Sequence, residues 1–111
     1  MELSAKDRLM LVVIMPQKGG FVLMETAAEA KRLLGLTAEE REHLEMEDRP
    51  DGSVRWNPEK EAAVDVKLPS PIRAMFCNKL RQLDSSGELT ADHLDIYRKF
   101  MVGACQDDDD D

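Results

Sequence analysis

Two histidines and two cysteines are the first places to look for chemistry in this chain. Glu40 and His43 stand three apart in TAEEREHLEMED, the ExxH spacing with which carboxylate-bridged di-metal bundles hold their ions. Such a centre needs a second ExxH and two more carboxylates, and the residue three before His93 is Thr90. The pair therefore reads as part of a solvated face. Cys77 and Cys105 have no CxxC partner for a structural zinc site. Cys77 lies beside Phe76 in an apolar helical pattern, where a thiol is inert, and His93 falls in the first turn of the last expected helix. Pro16-Gln17-Lys18-Gly19-Gly20 has its glycines and lysine in the wrong order for a phosphate loop and lacks the Ser or Thr that should follow the lysine. No catalytic, cofactor-binding or metal-binding residue is assigned. The chain reads as non-enzymatic and without a cofactor.

Charge narrows the partners. The net charge is −8, but the five aspartates at 107–111 account for most of it. Without them 18 acids face 15 bases, a net −3. That run cannot bury apolar surface and repels itself, so residues 104–111 are expected to form a disordered acidic tail behind a single domain over residues 1–103. With 42% apolar and 34% charged residues, the rest reads as globular, and at 5% aromatics its core must be aliphatic. Seven consecutive apolar residues at 9–15 fall far short of the ~20 that a membrane helix requires. Two cysteines without a leader pattern read as free thiols, which places the protein in the cytoplasm with no membrane contact.

The elements that must carry these residues are legible from periodicity and caps. Ser4 and Asp7 form a capping box that opens a helix over about residues 5–15, ended by Pro16. β-branched Val12, Val13 and Ile14 keep a strand open as the alternative. Gly19 and Gly20 turn the chain into a short extended segment at 21–24 and then a helix to Leu34, with Leu23, Ala27, Ala30 and Leu34 on one face. Residues 9–27 are thereby expected to be the core of the fold and not its working surface. Thr37 and Glu40 cap a third helix over about 38–46. Residues 53–57 and 63–68 alternate as strands and are expected to pair as an antiparallel β-hairpin. Ser70-Pro71 opens a helix to about Leu83, and Thr90 caps a last one over about 91–102, the two forming a C-terminal αα-hairpin. The fold class is α+β, mainly helical, in one domain.

Helix, extended segment, helix, helix, hairpin is also the order of a winged helix-turn-helix. A recognition helix should be basic or amide-rich, yet residues 37–48 hold six acids and one arginine, Arg41. Phosphate would be repelled by that face, so protein is the expected partner, as a heterologous protein or a homo-oligomer, and nucleic acid is only the alternative. The expected interaction surface comprises Glu39 and Glu42 on the acidic helix, and Arg73, Arg81 and Lys99 in a mildly basic region that also holds Lys79 and Arg98. Trp56 serves either as an interface anchor or as a cover over the core.

The segments LSAKDRLMLVVIMPQKGGF, SVRWN and SGELTADHLDIYRKFM resemble those of small uncharacterised proteins encoded by phages and prophages. The resemblance spans about residues 3–102 and brings no catalytic residue with it. It implies a regulatory or assembly protein of phage or prophage origin.

Overall fold

The computed structural model describes residues 1–104; Cys105 and the remainder of the expected tail lie outside them. Helices dominate. Strand β1 (Glu2–Leu3) leads into α1 (Ala5–Ile14), α2 (Phe21–Leu34) and α3 (Ala38–His43), followed by β2 (Glu47–Asp48), β3 (Val54–Arg55) and β4 (Val64–Asp65). Helices α4 (Ser70–Ser85) and α5 (Leu94–Lys99) close the fold, α5 running on into one π-helical turn, Phe100–Ala104. The architecture is α+β and mainly helical, with a C-terminal helix pair.

The caps form where local chemistry demands them. Ser4 accepts from the Asp7 backbone N–H while Asp7 accepts from that of Ser4, each at 3.1 Å, and Thr37 and Glu40 do the same at the start of α3. At the start of α4 the expected Ser70 cap is not made. Pro69 holds the cap position, and no side chain caps the helix. Helix α3 stops at His43, short of the expected residue 46, because Glu45 takes the left-handed conformation at φ 56° and turns the chain toward β2.

Three expectations are corrected. Residues 21–24 are not extended, since α2 starts at Phe21 directly behind Gly20. The strands at 53–57 and 63–68 do not pair with each other. The hairpin is β2 with β3, turned at Gly52 with φ 88°, whereas β4 pairs antiparallel with β1 at the other end of the sequence. Strands of two residues hold too little register information of their own, so packing decides their partners. Lastly, Cys77 is disulfide-bonded rather than a free thiol. Which sulfurs meet depends on the folded geometry and not on cysteine count.

The core gathers Leu3, Leu11 and Ile14 with Ala27, Ala30 and Leu34 of α2, Val66 and Leu68, and Ile72, Phe76 and Leu80 of α4. Alanines at 27 and 30 let α2 approach α4 closely. Phe76 meets Phe100 edge to face, ring centroids 5.8 Å apart, a pairing worth about 0.5–1.5 kcal/mol beyond its burial. In the last helix Ile96 and Phe100 are buried and Leu94 is exposed. No helix among the described residues is long and apolar enough to cross a membrane.

Candidate interaction surface

Helix α1 inverts the usual distribution of side chains. Its first turns bury two charges, Asp7 and Arg8, each 5% exposed, whereas Val13 in its last turn is 71% exposed. At 100° per residue Val13 lies about 200° around the helix from buried Leu11, on the opposite face. Across the Pro16–Gly20 corner, Phe21 and Val22 open α2 at 77% and 75% exposure. They stand about 120° and 140° away from Ala27, off the buried stripe of α2. Met24 is the first α2 side chain to pack on the core, and Leu23, expected inside, is partly exposed. Leu23 folds back over Gly19 instead. A Cβ on Gly19 would come within 2.5 Å of Leu23 Cδ2, the movable end of a partly exposed side chain. The expectation that residues 9–27 are all core is therefore corrected: the corner shows large apolar side chains to solvent.

Val22 borders a cavity of about 300 Å³ walled by Pro69, Pro71 and Ile72 and edged by Glu25 and Glu29. Such exposed apolar side chains beside prolines and a polar edge have the composition of a docking surface.

Among the residues expected to form the interaction surface, Glu39 and Glu42 are exposed on α3, and Arg81 is exposed on α4. Arg73 and Lys99 come together on the wall of another cavity, with Lys67. Trp56 is half-buried and stands outside the core cluster. Its indole N–H donates to Glu61 Oε2 at 3.1 Å, and it lines a cavity of about 410 Å³ with Glu45, Glu47 and Pro58.

The buried charges are consumed by the fold. Lys99 Nζ donates to Asp7 Oδ2 and, at 3.2 Å, to the Glu2 carbonyl. Arg8 pairs through two nitrogens with Glu40, so Glu40 is not part of the solvated face expected for it and His43. The Arg8 guanidinium holds the Glu40 carboxyl below its ordinary pKa, against the opposing effect of burial and with help from the Thr37 backbone N–H. Burial pushes Glu61 up, yet hydrogen bonds from the Lys6 backbone N–H and Trp56 leave its pKa lowered. His43 is exposed, and His93 Nδ1 accepts from the Thr90 backbone N–H at 3.0 Å as a helix cap. Among the described residues no three His, Cys, Asp or Glu side chains gather in a way that could hold a metal ion.

The signal for the exposed corner was present in the sequence as phase: Phe21 and Val22 precede the α2 stripe and lie off it. No family model, curated protein or solved structure matches the chain.

Proposed function

We propose that this protein is a non-enzymatic protein-interaction module, regulatory or assembly in role, which docks through the α1–α2 corner. The observation that carries this reading is the exposure of Phe21 and Val22, each at least three-quarters open to water, with Val22 beside the Pro69–Pro71 wall. Burying a side chain of this size stabilises a contact by about 1.5–3 kcal/mol, so two of them can anchor a partner. Phage or prophage origin rests on the sequence resemblance alone. The cytoplasmic setting expected from two free thiols loses that ground, because Cys77 is disulfide-bonded.

Capture from a lysate of the source cells, together with light scattering for self-association, tests the reading. The intact chain should yield a partner or an oligomer, and the double variant Phe21→Ser, Val22→Ser should lose it while keeping its circular dichroism. Recovery of neither from the intact chain would refute it, as would equal recovery with the double variant.

A second reading, a winged-helix-like nucleic-acid binder, draws on the order α1, α2, α3 and then the β2–β3 hairpin. Exposed Glu39, Glu42, Glu47 and Asp48 oppose phosphate on that side. Retardation of random duplex DNA by micromolar protein at low salt would favour it.

A further inference from the structure

The corner between α1 and α2 carries a pattern of side chains that is its own complement. Lys18 stands three residues before Phe21, and Glu25 stands three residues after Val22, so the apolar pair is flanked by a cation and an anion at equal spacing. All four residues are exposed. Around α2, Glu25 lies between Phe21 and Val22, about 40° from the first and 60° from the second, so the three share one side of the helix. Gly19 and Gly20 put no side chain between Lys18 and that side, and the space around Gly20 is open. Among the described residues no ion pair engages Lys18 or Glu25, whereas nearby Glu29 is already held by Arg32.

A two-fold contact satisfies such a pattern with itself. In an isologous pair, residue i meets residue j and residue j meets residue i. With the first turns of α2 antiparallel and the axis between positions 21 and 22, Phe21 meets the second copy's Val22 and Lys18 meets its Glu25. The groove fits the same register. It runs beside Val22 along Pro69, Pro71 and Ile72 with a volume of about 300 Å³, and a cavity of about 150 Å³ already holds a benzene ring. Pro69 and Pro71 have no backbone N–H that covering them would leave unpaired. A partner of unrelated sequence would require neither the equal spacing of opposite charges nor a groove placed to receive the chain's own phenylalanine.

We propose that the corner docks a second copy of this chain, as an antiparallel two-fold dimer in which Phe21 enters the groove beside Val22 and Lys18 pairs with Glu25. The inference rests on the corner being the docking surface and names its occupant. Two phenyl rings and two valines bury less than the ~1,600 Å² of a standard interface, so the dimer is weak and reversible. Its closed symmetry stops assembly at two.

Sedimentation equilibrium of the full-length chain over a range of concentrations tests it. A monomer–dimer equilibrium with no larger species is expected. Lys18→Glu and Glu25→Lys each set like charges against one another at two places and should weaken the dimer by about tenfold or more. Mixed in equal amounts, these two single variants should pair with each other, since each supplies the charge that the other lacks. The double variant Lys18→Glu, Glu25→Lys should dimerise like the original chain. Both positions are exposed, so the circular dichroism should not change. A chain that stays monomeric up to about 1 mM, a dimer indifferent to the single charge reversals, or single variants that fail to pair when mixed would each overturn the proposal. A monomeric chain that captures another protein, which the Phe21→Ser, Val22→Ser variant does not, would overturn the dimer and leave the corner as a docking surface. A dimer that survives Phe21→Ser, Val22→Ser would remove the corner itself.

Discussion

The two ends of α1 make opposite use of their side chains. At its start, Asp7 and Arg8 are buried and paired with Lys99 and Glu40, residues supplied by α5 and α3. At its end, Val13 is exposed, and across the corner so are Phe21 and Val22. Charge inside ties distant elements in one arrangement, because an unpaired buried ion is costly and only one packing pairs them all. Apolar surface outside contributes nothing to that packing and is available to a second molecule. The difference teaches that the polar end maintains the fold and the apolar end is where association should be sought.

The comparison can be broken most severely at Asp7. Asp7→Ala removes half of the first capping box and leaves Lys99 facing a partly buried gap. We expect a loss of about 3 kcal/mol, between a cap deletion and the full breaking of a buried pair. Urea unfolding at neutral pH measures it. A cost under about 1 kcal/mol would mean that the buried charges are incidental.

Glu40→Gln comes next, at about 2 kcal/mol. The cost is reduced because the Glu40 side chain keeps 27% of its surface in water. Folding lowers the Glu40 pKa, so its contribution is complete above the ordinary carboxylate range near pH 4.3 and is lost as pH falls through the lowered folded value. Stability measured from pH 6 down to pH 3 should therefore fall more steeply for the intact chain than for Glu40→Gln. Parallel curves would contradict the assigned pairing.

The smallest effect is expected at the other end. Phe21→Ser and Val22→Ser should change unfolding free energy by no more than about 0.5 kcal/mol each, since little of either side chain is removed from water. A loss above 2 kcal/mol would show that the corner is part of the fold after all.

These two ends were unequally legible in the sequence. The capping boxes Ser4–Asp7 and Thr37–Glu40 could be read because each is closed by residues three apart. The second role of Asp7 and Glu40 could not, because Lys99 lies 92 residues from Asp7, and Arg8 lies 32 from Glu40. Helix positions were legible from apolar period, and the pairing of β4 with β1 was not, as two-residue strands have no pattern to match. Phe21 and Val22 had the phase of exposed residues. Reading them as an extended entry to α2 hid it, since phase has meaning only once the helix start is known. Arg73 and Lys99 were expected to share a region, and they do share a cavity wall, but Lys67 and Val102 enter it only through tertiary packing.

The most direct test of the corner as the docking surface places a photocrosslinking residue at position 22 or at position 39 and irradiates the source cells. Covalent protein adducts from position 22 with none from position 39 are the predicted result. Adducts from position 39 alone, or from neither, would contradict the assignment of docking to the apolar end of α1 and the start of α2.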